Sequence, residues 1–333
     1  MPTVPATPVP FLIDRGVLSP AESHALAEGA AFIPADVAVV EVTGPGAVPC
    51  VQGLLTNDLE RPGDGAFIYG AVLTPKGMIV CDMWVARQAG TVTLVLPEAG
   101  RPALEGIMAR SLPPRLARPT DRSATLDVYR VVGPRALELA RTAGLAIPEN
   151  GRVLTAIVGG TTCLTARPAQ SAPFALQVHV ERTHAHQLVE RLERAGVVRG
   201  SGHSLEVARI IAGWPRLGAE IDERTLPQEV RYDVLEGVSY TKGCYVGQET
   251  VARLHFRGHA NRELVGLQWD EAPDPADNRV LQDERERGWV TSIAWLESAA
   301  RYVGLAKVRR EVDRARPVAE CGTSAKVADL PFS

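Results

Sequence analysis

Runs of β-branched and apolar residues recur along the first part of the chain, separated by short amphipathic stretches. The run VAVVEV at 37–42 predicts a strand, because β-branched side chains favour extended backbone. The turn Gly44-Pro45-Gly46-Ala47 then opens a short helix that reaches Leu55. Further strands are predicted at 67–73, 78–86 and 91–96, followed by a helix at about 101–110.

The same order of elements recurs in the next part of the chain. A strand at 127–132 leads to Gly133-Pro134-Arg135-Ala136, which opens a helix to about Ala143. Three strands and a helix follow, at 153–158, 161–166, 174–180 and 184–195. Because the order of elements and the Gly-Pro-x-Ala turn both repeat, we interpret the two stretches as a duplicated α+β unit.

The remainder of the chain has a different pattern. Residues 203–254 are rich in turn signals, and short strands at 264–269, 288–293, 302–308 and 324–327 predict a small β-barrel. The fold class is therefore α+β. The expected domains are a first unit at 11–120, a second unit with the turn-rich segment at 121–257, and the C-terminal barrel at 258–333.

Composition excludes several classes of protein. The 333 residues carry 36 Lys and Arg against 39 Asp and Glu, a net charge of −3, which argues against coating DNA or an acidic membrane. No apolar run reaches the length of a membrane span, and the N-terminus lacks the pattern of a secretory signal. Five dispersed cysteines without a CxxC pair predict neither a disulfide framework nor a metal site, so we expect a reduced, cytoplasmic protein.

The densest chemical motif is KGCYVGQE at 242–249. If a helix begins near Gly247, Cys244 lies just before its positive end, with Lys242 two residues away, and both would favour a thiolate. The residues alone leave two interpretations open: a reactive or ligand-contacting cysteine, or a small buried residue in a tight turn.

Motif 242–249, with Phe256-Arg257-Gly258 after it, resembles the signature of the YgfZ family, tetrahydrofolate-binding proteins related to the aminomethyltransferase called T-protein. Other stretches that resemble this superfamily are Thr43-Gly44-Pro45 with 52–58, 213–218 with 227–229, and 264–267 with 288–292. The resemblance thus spans about residues 37–310. It implies a three-lobed ring around a folate-sized cavity.

The resemblance also implies a function. It suggests a protein that binds tetrahydrofolate or a one-carbon derivative and assists the synthesis or repair of iron–sulfur clusters in client enzymes, including enzymes that modify tRNA. Cys244 and Lys242 match the critical cysteine and lysine of the family. The other motif residues expected to contact folate are Gly243, Tyr245, Gly247, Gln248 and Glu249.

Folate sets chemical requirements for its remaining contacts. A pterin presents paired N–H donors that a carboxylate accepts, and its glutamate tail requires Arg or Lys. Candidate residues for the pterin are Asp82, Glu220, Asp222 and the pair Asn57-Asp58, and those for the tail are Arg209, Arg253 and Arg257. Arg253 is preferred because it follows Glu249 by four residues on one helical face.

Two departures from the T-protein pattern bear on activity. Cys81 stands where the T-protein has one of two adjacent aspartates, and Ile211 stands at a glutamate position. Since aminomethyl transfer needs carboxylates around the folate nitrogens, an accessory protein is favoured over a folate-dependent aminomethyltransferase or demethylase. A third alternative is a nonenzymatic interaction module built on residues 253–259.

The basic and aromatic residues at 253–259 also resemble nucleic-acid contacts. The near-neutral charge of the chain and the adjacent folate motif favour a ligand-facing or interdomain linker there. We therefore expect no direct nucleic-acid binding, while the oligomeric state is left open.

Overall fold

The computed structural model describes residues 9–320 and 323–332; Cys321, predicted to be a buried apolar residue, lies outside them. The strands are β1 (Phe11–Ile13), β2 (Ala31–Pro34), β3 (Val37–Thr43), β4 (Phe67–Leu73), β5 (Ile79–Gln88), β6 (Thr91–Pro97), β7 (Arg118–Asp121), β8 (Leu126–Val132), β9 (Arg152–Val158), β10 (Thr161–Arg167), β11 (Leu176–Glu181), β12 (Val198–Arg199), β13 (Arg262–Trp269), β14 (Arg279–Gln282), β15 (Arg285–Leu296), β16 (Arg301–Arg309), β17 (Val318–Glu320) and β18 (Thr323–Ala328). The helices are α1 (Pro20–Glu28), α2 (Ala47–Gln52), α3 (Arg101–Ser111), α4 (Ala136–Thr142), α5 (Ala185–Arg194), α6 (Gly202–Ala212) and α7 (Gln248–Arg257).

Two of the three sheets share one pairing scheme. The five-stranded sheet has the order β4-β5-β6-β3-β7, and the six-stranded sheet has the order β12-β2-β8-β11-β10-β9. In each sheet the first strand of the unit pairs antiparallel with the fourth, the fourth with the third, and the third with the second. The predicted strands and helices of both stretches are found within a few residues of their expected bounds.

The repeated glycines have a steric role. Gly44 has φ +116° and Gly133 has φ +102°. A Cβ on Gly44 would lie 2.5 Å from the carbonyl oxygen of Leu116, and a Cβ on Gly133 would lie 2.6 Å from that of Ala25. Glycine is therefore required where each unit turns from its first strand into its first helix.

The third sheet combines both ends of the chain. Where the sequence predicted a small β-barrel at 258–333, the structure has a seven-stranded sheet in the order β1-β15-β14-β17-β18-β13-β16, and β16 pairs with β15 as well as β13. The N-terminal strand β1 lies parallel to β15. The sheet takes in β1, from outside residues 258–333, through a contact between distant parts of the chain that local sequence pattern does not encode.

Helix α6 lies in the segment for which the sequence predicted mainly turns. It packs against β15 and β16 on one side and against β2 and β8 on the other. Gly213 ends it in the left-handed conformation, with φ +65°. Because α6 contacts two of the sheets, its side chains reach the space between them.

Candidate functional site

A cavity of about 590 Å³ lies among the three sheets and α6. Its walls include Phe11 from β1, Pro34 and Arg130 from the six-stranded sheet, and Asp82 and Trp84 from β5. Further lining residues come from α6 and the segment after it, namely Ser201, His203, Glu206, Arg209, Trp214 and Arg216. Two of the residues predicted from the sequence, Asp82 and Arg209, thus meet in one cavity.

Asp82 lines this cavity, and only one of its two carboxylate oxygens accepts a hydrogen bond from the protein. One oxygen, Oδ2, accepts a hydrogen bond of 3.0 Å from the hydroxyl of Tyr69, which itself lies 3.1 Å from the hydroxyl of Tyr232. The other oxygen, Oδ1, is buried and has no hydrogen-bond partner among the described residues. Burial raises the pKa of Asp82 to about 6, although the Tyr69 hydroxyl acts in the opposite direction.

Arg130 places a cation in the same cavity. It lies on β8, and loss of hydration lowers the pKa of its guanidinium to about 10, while the charges of Asp82 and Glu206 counteract the shift. Its guanidinium carbon lies 4.8 Å from the ring centroid of Phe174. The cavity thus pairs the open carboxylate oxygen with a nearby positive charge.

Aromatic rings form a flat part of the wall. The rings of Trp84 and Trp214 stack with a centroid distance of 5.5 Å and an interplanar angle of 18°. Both residues are almost fully buried, and Phe174 and Tyr69 pack edge-on against them. Because Trp84 also stacks on Phe67 at 4.9 Å, these rings form a rigid apolar wall that favours a partly apolar ligand.

Arg209 joins α6 to neighbouring elements. Its guanidinium donates to carboxylate oxygens of Glu206 and Glu220, both at 2.9 Å, to the carbonyl of Trp214 at 2.7 Å and to the hydroxyl of Ser292 at 2.8 Å. Arg209 lines the cavity, but most of its donors are engaged by the protein itself.

Glu220 is fully buried and fully bonded. Its Oε1 accepts from the hydroxyls of Thr291 and Ser292, and its Oε2 accepts from Arg209 and the backbone N–H of Arg216. These four bonds leave it no capacity for a pterin, and it does not line the cavity. Glu220 was expected to contact the pterin; its hydrogen bonds instead anchor the segment after α6 to α6 and to β15.

Lys242 has a structural role that the motif did not reveal. Its ammonium donates to the carbonyls of Gln52 and Leu55, both at 2.6 Å, and of Asn57 at 2.9 Å. Burial lowers the pKa of Lys242 to about 8. Because its three N–H donors are all used, Lys242 fixes the end of α2 and the loop after it rather than aiming at the thiol of Cys244.

Asn57 is likewise occupied by protein contacts. Its side-chain amide donates to the carbonyls of Tyr69 and Glu236, at 2.8 and 2.7 Å, and its Oδ1 accepts from the backbone of Asp58. Asn57 thus connects β4 to the segment that precedes the motif, and the expected contact with folate is replaced by this bridging role.

The glycines of the motif differ in whether a larger side chain would fit at their position. Gly247 has φ +83°, and a Cβ there would lie 2.5 Å from the carbonyl oxygen of Thr74. It packs against Gly77 at the tip of the β4–β5 hairpin, the same hairpin that carries Asp82. Gly243 has open space where a Cβ would project. The motif is therefore attached to the cavity hairpin through Gly247.

Cys244 is exposed, four residues before the first residue of α7. Tyr245 beside it is buried, and its ring centroid lies 5.1 Å from the Lys242 ammonium. The predicted ligand residues of the motif, Lys242, Gly243, Cys244, Tyr245, Gly247, Gln248, Glu249 and Arg253, do not line the cavity that contains Asp82. The structure therefore separates the thiol from that cavity.

The two residues that depart from the T-protein pattern, Cys81 and Ile211, lie in different surroundings. Cys81 is buried on the opposite face of β5 from Asp82, and burial raises the pKa of its thiol. Ile211 lines a separate cavity of about 620 Å³ beside the loop 167–175. Neither position supplies a second carboxylate to the Asp82 cavity.

Sequence reasoning missed several lining residues. Among them are Arg130, Trp84 and Trp214, none of which was expected from the sequence to contact a ligand. The polar residue within the strand DVYRVV was the one local signal that could have indicated Arg130.

Other site classes receive no support. Among the described residues, no three His, Cys, Asp or Glu side chains are grouped to hold a metal ion. Within the same residues, no helix combines the length and apolarity needed to cross a membrane.

Comparison with known proteins bears on the family. An aminomethyltransferase from Rubrobacter xylanophilus is 28% identical over 309 residues, covering 88% of this chain and 80% of that protein. The tRNA-modifying protein YgfZ of Serratia proteamaculans is 29% identical over 275 residues, covering 80% and 81%. These relatives confirm the predicted resemblance to YgfZ within the aminomethyltransferase superfamily.

Structural comparison agrees with the sequence matches. The glycine cleavage system aminomethyltransferase T of Bartonella henselae has a TM-score of 0.79 at 19% identity, covering 94% of this chain and 88% of that one, which shows a shared fold. The family model described as the GCVT N-terminal domain matches residues 19–237. The chain therefore belongs to the GCVT N-terminal domain family.

Proposed function

We propose that this protein binds tetrahydrofolate or a one-carbon derivative in the Asp82 cavity. We further propose that it serves as an accessory protein in the synthesis or repair of iron–sulfur clusters in client enzymes, including those that modify tRNA. The observation that carries the folate proposal is the buried, unpartnered Oδ1 of Asp82 in a cavity of folate-compatible volume.

The cavity residues match the parts of a folate. A carboxylate with a free oxygen suits the paired N–H donors of a pterin, and the almost fully buried rings of Trp84 and Trp214 give the cavity a rigid apolar wall. Arg216, whose side chain is one-third exposed and pairs through Nε with Glu206 at 3.2 Å, would direct its remaining N–H groups to the carboxylates of the glutamate tail. When bound, the folate would supply one-carbon chemistry, while this chain would hold and orient it.

The arrangement of the sheets supports a three-lobed ring around the cavity. Each of the three sheets contributes lining residues, represented by Phe11, Asp82 and Arg130. We propose that the domains at 11–120, 121–257 and 258–333 form these lobes.

We propose that the thiol of Cys244 makes a transient contact with sulfur or iron of a client. Its exposure supports this role, because a client protein can reach it from solvent. Lys242 would act as a positioning residue, since its three bonds to the 52–57 loop hold the segment that presents the cysteine.

The names of relatives support two classes of function. The relative from Serratia proteamaculans is named a tRNA-modifying protein, and that from Rubrobacter xylanophilus an aminomethyltransferase. The buried Cys81 and apolar Ile211 favour the accessory role, because neither position supplies the carboxylate that the T-protein pattern has there. Methylene transfer that disappears in Asp82→Asn would favour the enzyme instead.

The proposal is tested by two measurements on Cys244→Ser, with Cys50→Ser as a matched control. Calorimetric titration with tetrahydrofolate should give wild-type affinity for both variants, since neither cysteine lines the cavity. The activity of an iron–sulfur tRNA-modifying enzyme in cells should fall only with Cys244→Ser. Full cellular activity in that variant would refute the thiol role, and an absence of folate binding to the wild type would refute the ligand.

A further inference from the structure

The C-terminal half of α7 and the loop after it form an exposed strip. Arg253, His255, Phe256, Arg257 and His259 are all exposed. Phe256 exposes 66% of its surface, an unusual fraction for so large an apolar side chain. The sequence favoured a ligand-facing or interdomain linker here; the strip does not line the Asp82 cavity and is open to solvent.

Aromatic rings in the strip are preassembled. The rings of Tyr240 and His255 stack with centroids 3.6 Å apart and planes 15° from parallel. Phe256 contacts His255 edge-on at 4.7 Å and lies 6.0 Å from Tyr240. These contacts restrict the Phe256 ring while leaving much of its surface open, which makes it a platform for another flat ring.

The arginines around this platform are not neutralised. Arg253 and Arg257 form no ion pair with any described residue, and neither do Arg309 and Arg310. The backbone N–H of Arg310 donates to the carbonyl of Asn261, so the end of β16 adjoins the loop that leaves α7. By contrast, the exposed Arg194 on α5 pairs with its neighbour Glu190 at 2.8 Å.

We propose that this strip binds single-stranded nucleic acid. An unpaired base would stack on Phe256, and the adjoining phosphates would lie against Arg257 and Arg310, the combination of ring and cation that single strands require. Asp233 places a carboxylate beside the platform, where it accepts from the Tyr240 hydroxyl and lies 3.8 Å from His255, but the four unpaired arginines outweigh this charge and favour a polyanion over a neutral partner. The open aromatic face favours unpaired bases over a duplex. The inference goes beyond the proposed folate function and does not depend on it.

Fluorescence anisotropy with the full chain tests this proposal. The probes are labelled single-stranded RNA and DNA of about 12 nucleotides, which is within the usual site size, and a duplex of the same sequence. We expect binding of one or both single strands that weakens with salt. Phe256→Ala should reduce affinity about tenfold, in line with the loss of one stacked base. Arg257→Gln should lower the slope of log affinity against log salt by about 0.7.

Matched controls come from other faces of the molecule. Ile157→Ala removes a comparably exposed apolar side chain from β9, and Arg194→Gln removes an exposed arginine from α5; both should bind like the wild type. The proposal is overturned if no single strand binds at low salt, or if the duplex or a polyglutamate peptide binds equally well. Equal effects of the Phe256 and Ile157 variants would overturn it as well.

Discussion

Asp82 holds an ionisable carboxylate in a cavity where burial is costly to its charged form. Its folded-state pKa of about 6 is above the unfolded value of 3.8, so the folded protein binds more protons between these two values. Stability attributable to Asp82 is therefore present at low pH and is lost as pH rises through about 6. A bound ligand that donates to its carboxylate would recover this loss.

The first prediction concerns Asp82→Asn. Because the amide cannot ionise, the variant should gain about 1–3 kcal/mol of unfolding free energy relative to wild type on going from pH 4.5 to pH 7. Urea denaturation at the two pH values measures this difference. Asp36→Asn, an exposed residue on the same cavity, is the control and should show no such gain. A pH-independent difference for Asp82→Asn would contradict the assignment.

The second prediction concerns Lys242. Its replacement by Met would leave the carbonyls of Gln52, Leu55 and Asn57 without their donor, which we expect to cost about 2–4 kcal/mol. Chemical denaturation measures the loss, with the exposed Lys76→Met as control. Wild-type stability of Lys242→Met would show that water replaces the ammonium.

At the scale of elements, sequence pattern was informative where the signal is local. The run VAVVEV at 37–42 and the Gly-Pro-x-Ala turns specified β3, β8 and the helices after them, because β-branching and glycine act within a few residues. Helix α6 was missed because its apolar run lies among turn signals. The pairing of β1 with β15 joins residues at opposite ends of the chain, so no local pattern indicates it.

The difference between local signals and distant contacts also explains which roles of site residues the sequence could predict. The motif drew attention to Lys242, but the contacts of Lys242 are with residues near position 55, and those of Glu220 are with residues near 291. Such distant partners decide whether a polar side chain faces a ligand or serves the fold. Asp82 and Arg209 meet in the cavity only because β5 and α6 pack together.

The third prediction uses two glycines of the motif. Gly247→Ala should destabilise the protein by about 1–3 kcal/mol, because it combines positive φ with a contact of 2.5 Å to the carbonyl of Thr74. Gly243→Ala should be tolerated, since its Cβ would meet open space. Thermal denaturation of the two variants measures the difference, and equal midpoints would contradict the packing of the motif on the β4–β5 hairpin.

At the scale of the whole molecule, the pair Arg209–Glu220 connects α6, the segment after it and the seven-stranded sheet through Ser292. The pair is almost completely buried, so each charged group depends on the other to offset the loss of its hydration. Its contacts hold α6 against that sheet and thereby set one wall of the cavity.

The fourth prediction follows from this junction. Arg209→Met should cost about 3–5 kcal/mol, because it leaves the Glu220 charge buried without its partner. The exposed Arg194→Met should cost about 0–1 kcal/mol. Urea denaturation compares the two variants, and a similar small loss in both would show that the junction does not unite the sheets.

The central claim is that Asp82 receives a reduced folate within the cavity shared by the three sheets. Isothermal titration of tetrahydrofolate into the wild type, Asp82→Asn and Asp36→Asn tests it most directly. The account predicts saturable binding to the wild type and to Asp36→Asn, with affinity reduced at least tenfold in Asp82→Asn. Equal affinity in all three proteins, or no binding to the wild type, would contradict it.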